Sequence, residues 1–411
     1  MTRQTNPSWP GLTTYGDVMD DSKVAVRARG NRITFADGKE RICATSGLWN
    51  VNFGYSREDY THAIAEASGQ LSFYPCFRYS SEFAEKASAA LLRTLGTTWK
   101  RVVWTTGGSS SVEAAIKIAR VYSLLKEEPA RRKIASVGNA FHGISIGTMS
   151  VTDEDIDKRF YGVSLSDHLK VELDDPDLLN RLERQIPRIA AVLVEPVTGT
   201  GTVPLSSTAL DNLSQLQKMG VLVIADEVAT GFGRVSNVLA SDEWGFRPDL
   251  LAVSKALTNG AVPGGAVVLG ETVDACYSDH PQVGIWHAET GAGHPLVGAA
   301  VAVTASIFDN DHELKEHENV RRETTELSRS IVEDVPGLES VGSGAFQTIQ
   351  YSPDSNRSID VAGLVDEIRQ NGVVVHPSVR GVQIVPPLIS PVEDLERIFE
   401  VTLSAMTTHR T

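Results

Sequence analysis

The stretch VLVIADEVATGFGR, residues 221–234, decides the fold. Five apolar residues run without alternation into Asp226-Glu227. A strand that is apolar on both faces belongs in a parallel sheet covered on both sides. A helical pattern ending at Lys218-Met219-Gly220 precedes it. The same grammar repeats outward. VVW (Val102–Trp104), KIASV (Lys133–Val137), AAVLVEPV (Ala190–Val197) and LLAVSK (Leu250–Lys255) are short apolar runs ending in small or charged residues. Helical spacing in EFAEKASAALLRTL (Glu82–Leu95) and in VEAAIKIARVYSLL separates such runs. Strands alternating with helices predict an α/β fold with a mostly parallel central sheet. Ligands in such sheets bind beyond the carboxyl ends of the strands. After about Gly298 the pattern changes to a long helix, a charged segment, the short strands FQTIQY, GVVVHP and GVQIVPPL, and a final helix. That predicts a small α+β unit completed by the N-terminal segment, where Asp37-Gly38 reads as a hairpin turn. The expected division is 1–60 (N-terminal part of the small domain), 61–298 (large domain) and 299–411 (C-terminal small domain).

Composition narrows the function. The chain has 411 residues, 38 Lys+Arg and 52 Asp+Glu, so its net charge is −14. Hydrophobic residues are 41% and charged residues 22%, the balance of a globular protein. An acidic surface argues against nucleic acid or an anionic membrane as the main partner. Cys43, Cys76 and Cys276 are widely spaced and odd in number, which fits a reducing compartment and predicts no metal site. No apolar run is long enough to span a bilayer. The first twenty residues hold no apolar signal segment, so a soluble, cytoplasmic protein is expected.

Several strand-end residues have chemistry available. Lys255 reads either as a solvated strand-end lysine or as a Schiff-base lysine, which needs partial desolvation. Asp226 reads as a loop carboxylate or as the acid that keeps a pyridinium nitrogen protonated. A pyridoxal 5'-phosphate (PLP) site pairs those two roles. Thr106-Gly107-Gly108-Ser109-Ser110-Ser111, between strand and helix, reads as an ordinary helix cap or as a phosphate cradle. It is neither a Walker loop nor a GxGxxG loop. Phe141, in Phe141-His142-Gly143, could pack in the core or stack on a flat ring. Glu195-Pro196 sits in an apolar run, where a solvated strand end is the alternative.

Together these segments resemble the class III (omega) aminotransferases, PLP enzymes of fold type I. The resemblance runs from about Gly30 to Leu388, through SGLWNVNFGYSR, TTGGSSSVEAAIKIAR, FHG, LVEPVTG, ADEVATGFGR, PDLLAVSKALTNG and HAETGAGHPLVGAA. It implies a PLP-dependent transfer of an amino group. Lys255 would carry the cofactor, and Asp226 would bond its ring nitrogen. Phe141 and Val228 would sandwich the ring, with Gly108 and Ser109 on the phosphate. Thr290 would reach the phosphate of a partner subunit, implying a homodimer with shared sites. Glu195 would lie on the substrate side. His142 would support the cofactor or act directly, and His294-Pro295 would shape a turn. Trp49, Tyr74, Arg380 and Gln383 are the candidate substrate contacts.

The chain departs from the family in two places. Ser110 stands where the phosphate loop usually has glutamate, so a polar support is expected to be lost. Gln383 stands where many members acting on α-amino acids have an arginine before Pro-Pro-Leu. An amide cannot make that bidentate ion pair. Arg380 is the candidate replacement. The expected substrates are therefore an amine or ω-amino donor and a carbonyl acceptor, with a natural-product or modified-peptide intermediate as one setting. The alternatives are an aminomutase, decarboxylase or racemase, an α-amino-acid aminotransferase using Arg380, or a non-catalytic protein that binds PLP.

Overall fold

The computed structural model describes residues 7–15, 20–153, 157–333, 335–353 and 359–408. The ends of the expected terminal segments, 1–6 and 409–411, lie outside these.

The apolar runs form one sheet of seven strands. In spatial order they are Trp99–Thr105, Gly265–Gly270, Leu250–Val253, Leu222–Asp226, Ile189–Val194, Lys133–Val137 and His168–Val171. The Gly265–Gly270 strand pairs antiparallel with both neighbours, and the pairings from Leu250–Val253 to His168–Val171 are parallel. That antiparallel strand, GAVVLG, was not among the runs read from the sequence. All of its residues are buried, as are those of Ile189–Val194, Leu222–Asp226 and Leu250–Val253. Cover on both faces explains why none of them alternates.

The helix read from EFAEKASAALLRTL spans Glu82–Leu95, with Ser81 Oγ accepting from the Ala84 N–H as N-cap. The helix after the Gly/Ser loop spans Gly108–Leu125. Its buried residues, Val112, Ala115, Ile118 and Ala119 among them, recur at helical spacing.

Two four-stranded sheets complete the fold. The first joins Ala25–Arg29, Arg32–Phe35, Glu40–Cys43 and the C-terminal Val373–Val374, the last two in parallel. Residues from the two ends of the chain therefore share one sheet. The expected turn lies between its second and third strands, with Gly38 at φ +77°. The second sheet is antiparallel, in the order Leu338–Ser343, Phe346–Tyr351, Gly381–Ile384 and His376–Ser378. The charged segment before it is a long helix, Asp311–Glu333, and the helix Pro295–Ile307 crosses the expected boundary at 298.

Candidate active site

The sequence places its polar residues at the carboxyl ends of the central strands, and the fold gathers them. Asp226 ends its strand, Glu195 follows Val194, and Lys255 lies two residues past Val253. Lys255, Asp226, Glu195, Phe141, His142, Gly143, Gly108, Ser109, Val228, Ala229 and Trp49 line one cavity of about 180 Å3. Ten of them lie at strand-to-loop junctions of the large sheet. Trp49 comes from the N-terminal segment.

Lys255 has φ +48°, a left-handed backbone that a non-glycine residue rarely adopts. Such strain persists only where the surroundings over-determine it. Its Nζ lies 4.4 Å from the centre of the Trp49 ring. Burial lowers its pKa to about 8, although Asp226 and Glu195 pull it upward. At pH 7 roughly a tenth of the amine is then neutral, against far less for a solvated lysine.

Asp226 Oδ2 is 2.8 Å from His142 Nδ1, and its Oδ1 accepts from the Val228 N–H at 3.1 Å. A carboxylate partner assigns the proton to Nδ1 of the imidazole. His142 Nε2 is buried and has no hydrogen-bond partner among the described residues. Glu195 accepts from the backbone N–H groups of Phe141 and Gly199, each at 2.9 Å. Burial raises its pKa, and the nearby Asp226 adds to the rise.

The phosphate end is a helix N-terminus. The first amides of Gly108–Leu125 have no acceptor within the helix, so they face the approach to Gly108 and Ser109. Two glycines keep this end open. A Cβ on Gly108 would sit 2.9 Å from Val228 Cγ1, and one on Gly143 would sit 2.1 Å from Ser109 Oγ. Gly143 also has φ +105°.

The support expected to be lost at Ser110 is supplied from elsewhere. Glu289 accepts from the Thr106 N–H at 2.8 Å, the Thr106 hydroxyl at 2.6 Å and the Ser110 hydroxyl at 2.5 Å. Lys117 Nζ donates to His287 Nδ1 at 3.2 Å, and His287 Nε2 is 3.0 Å from Ser110 Oγ. A carboxylate 179 residues away in sequence thus stands where the loop itself lacks one.

Trp49 is held by a left-handed turn. Ser46, Gly47, Leu48 and Trp49 have φ of +46°, +56°, +67° and +63°. Each of the three non-glycine residues costs about 1–2 kcal/mol in that conformation. Arg234, fully buried, clamps the turn. It donates to Ser46 Oγ at 2.8 Å and Asn52 Oδ1 at 2.6 Å, and to the carbonyls of Pro386 at 2.6 Å and Ala345 at 3.3 Å. Ser46 Oγ in turn donates to the Val385 carbonyl at 2.7 Å. Arg234 ends the stretch quoted first, and its spacing gives no sign of this role.

The candidate substrate contacts separate. Gln383 is buried, and its Nε2 donates to the Gly199 carbonyl at 2.8 Å. Arg380 donates to the carbonyls of Tyr351 and Ser352 and is not among the cavity-lining residues. Tyr74 is exposed and packs edge-on against Tyr79 at 5.8 Å. Thr290 is also exposed. His294 Nδ1 accepts from the Leu296 N–H and so caps the Pro295–Ile307 helix, as expected of a turn residue. His376, which does not line the cavity, meets the Trp49 ring edge-on at 5.5 Å.

The set fits PLP by its own chemistry. A desolvated amine, an oriented carboxylate and a glycine-lined helix N-terminus match the aldehyde, ring nitrogen and phosphate of that molecule.

Comparison with known proteins agrees. The family model of the class-III aminotransferases matches residues 16–406. The beta-alanine–pyruvate aminotransferase of Pseudomonas aeruginosa is 27% identical over 97% of this chain and 95% of that protein. An omega-aminotransferase of Caulobacter vibrioides is 33% identical over 67% of this chain and 68% of that protein. Among solved structures, a PLP-bound amine transaminase from an uncultivated Pseudomonas species has a TM-score of 0.87 at 27% identity, covering 98% of both chains. An (S)-enantioselective omega-transaminase from Thermomicrobium roseum has a TM-score of 0.86 at 27% identity, covering 93% of this chain and 92% of that one. Among the described residues no helix is long and apolar enough to cross a membrane. The fold, the cavity and these likenesses agree: the chain belongs to the class III aminotransferases, a PLP-dependent enzyme of fold type I that transfers amino groups between small amine and carbonyl compounds.

Proposed function

We propose that the enzyme takes its amino group from an amine or ω-amino compound lacking a carboxylate beside the reacting carbon. The acceptor is a carbonyl compound. A ketone or aldehyde on a natural-product or modified-peptide intermediate falls in this acceptor class. One observation carries the reading: among the described residues, Lys255 is the only lysine or arginine lining the cavity, where it stands beside Glu195 and Asp226. Gln383 spends its amide N–H on Gly199, and Arg380 is bonded to backbone carbonyls. An α-carboxylate would have to find its counter-charge elsewhere.

When bound, PLP supplies an electrophilic carbonyl and an electron-withdrawing ring. Lys255 Nζ would hold that carbonyl. Partly neutral near pH 7, Lys255 Nζ would also serve as general base and general acid at the substrate carbon. Trp49 covers Nζ and excludes water from it. Asp226 would keep a proton on the ring nitrogen, and His142 Nδ1 fixes the orientation of Asp226. Gly108 and Ser109 would hold the phosphate through the helix N-terminus, and Phe141 and Val228 would flank the ring. Glu195 lies on the substrate side, its burial favouring the protonated acid.

The enzyme acts as a homodimer, with exposed Thr290 completing the partner's phosphate site. Exposed Phe73, Tyr74, Phe77, Tyr79 and Trp286 support that arrangement. We retain the division into a large domain of 61–298 and a small domain from the two flanking segments.

The test has two parts. Lys255→Ala is expected to lose the visible absorbance of lysine-bound PLP and at least about 10^3-fold of turnover. A donor panel on the wild type is expected to convert the bound cofactor with simple amines or ω-amino compounds. Conversion by α-amino acids alone would overturn the substrate assignment.

A further inference from the structure

The lysine cavity is arranged around a positive charge. Lys255 Nζ lies 4.4 Å from the centre of the Trp49 ring, within the range at which a ring face attracts an ammonium. The carboxylates of Asp226 and Glu195 favour the charged form of the same amine. All four residues line one cavity. Trp49 is held by its left-handed turn and by the Arg234 clamp, so its ring face is fixed independently of Lys255.

Two of those charges are committed in the PLP-loaded enzyme. By the reading above, Lys255 Nζ would hold the cofactor carbonyl and Asp226 would keep the proton on its ring nitrogen. Glu195 is then left without a cation, since among the described residues no other lysine or arginine lines the cavity. Its two oxygens each accept one backbone N–H, from Phe141 and from Gly199. A carboxylate offers about four acceptor sites, so each oxygen keeps capacity for a further donor. Glu195 also stands near Trp49. Gly199 lies against both, since a Cβ there would be 3.0 Å from Glu195 Oε1 and 3.4 Å from Trp49 Cζ3. A buried carboxylate lacking a counter-charge is costly, and burial raises the pKa of Glu195 to about 7. An arriving ammonium supplies the counter-charge, and Glu195 releases its proton as it binds.

We propose that the Glu195 carboxylate and the Trp49 ring face form an ammonium subsite of the loaded enzyme, selecting short donors that carry a second, protonated amine beside the one that reacts. This rests on the amine-donor reading above and names the substrate class within it. A second ammonium gains an ion pair and a ring face. A methyl group in the same place gains neither, and a carboxylate meets the like charges of Glu195 and Asp226. The cavity measures about 180 Å3 and must also take the cofactor ring, so the second amine stands only a few bonds from the first.

The test uses the PLP-loaded enzyme and donor alone, reading the loss of visible absorbance. Primary amines of matched length are compared, ending in a methyl, a carboxylate or a second ammonium group. A second ammonium also makes the reacting amine less basic, and a diamine has two ends that can react. The quantity read is therefore the diamine preference over the methyl-ended amine in the wild type, divided by the same preference in Glu195→Gln, where both effects cancel. That quotient is expected to be about tenfold at pH 8, arising in half-saturation rather than saturating rate. It is expected to shrink to about twofold at pH 6, where Glu195 is mostly protonated before the donor arrives. Trp49→Leu, which keeps Glu195 but removes the ring face, is expected to lower the wild-type preference about threefold. Retained visible absorbance shows that each variant still folds and binds PLP. Should Glu195→Gln fail to bind PLP, the wild-type preference measured at pH 6 and pH 8 decides alone, because both amines remain mostly protonated across that range. A quotient within about twofold at pH 8, or a wild-type preference that does not rise between pH 6 and pH 8, overturns the proposal while the amine-donor reading stands. If the wild type converts only α-amino acids, the amine-donor reading fails first and takes this inference with it.

Discussion

The cofactor end of the cavity and its small-sheet wall are built from different kinds of contact. At the cofactor end, each functional residue sits within a few positions of a strand's carboxyl end. Lys255, Asp226 and Glu195 arrive there because parallel strands all deliver their ends to one edge of the sheet. The wall is built from partners distant in sequence. Gln383 reaches Gly199 across 184 residues, Arg234 reaches Ser46 across 188, and Ser46 reaches Val385 across 339. The first region carries chemistry common to the family. The second is held by structural bonds, and both Arg380, the candidate carboxylate partner, and Arg234 are spent on them.

Breaking the chemical end costs most. Asp226→Asn keeps the size of the side chain but loses the charge proposed to hold a proton on the ring nitrogen. Turnover is expected to fall about 10^2- to 10^4-fold with PLP still bound, measured as saturating rate and visible absorbance. A loss under tenfold would remove Asp226 from the assigned role.

Breaking the wall costs stability before chemistry. Arg234→Ala leaves Ser46, Asn52 and two backbone carbonyls without their buried donor and releases the left-handed turn under Trp49. A loss of about 3 kcal/mol is expected in denaturant unfolding, with weaker donor binding in what remains folded. Unchanged stability would show that the clamp is dispensable.

A smaller effect sharpens the phosphate end. Gly108→Ala presses a Cβ to 2.9 Å from Val228 Cγ1. PLP affinity is expected to fall about tenfold, since overpacking costs about 1–3 kcal/mol. Adding Val228→Ala should recover much of it by making room. Failure of that rescue would place the constraint elsewhere.

The smallest effect is one of pH. The amine of Lys255 gains its neutral form as pH rises through about 8 rather than near 10.4. Cofactor-free protein is therefore expected to take up PLP about fivefold faster at pH 8 than at pH 7, the neutral fraction rising from roughly a tenth to a half. An increase that continues undiminished to pH 10 would contradict a desolvated lysine.

Much of this was legible in the chain. Unbroken apolar runs such as Ile189–Val194 announce their own burial, because a half-exposed strand would alternate. GAVVLG was less legible, since a short apolar run does not state its direction. The charged helix Asp311–Glu333 was read only as a charged segment, because few of its residues are apolar enough to mark a buried face. Lys255, Asp226 and the Gly/Ser loop could be assigned from local order and motif. The substitution at Ser110 was visible, but its replacement by Glu289 was not, because nothing in a linear chain says which distant loop will return to the same place.

The amino-acid sequence by itself determined the parallel core of the sheet and its polar strand ends, which follow from periodicity and short-range order, and the family and cofactor through its resemblance to the class III aminotransferases. Only the tertiary structure decided how the small-sheet side chains pair. It turned Arg380 toward backbone carbonyls, tied Gln383 to Gly199, and set His376 against Trp49. The physical reason is that a side chain's partner is fixed by packing between segments, and a buried donor takes the nearest acceptor the fold supplies.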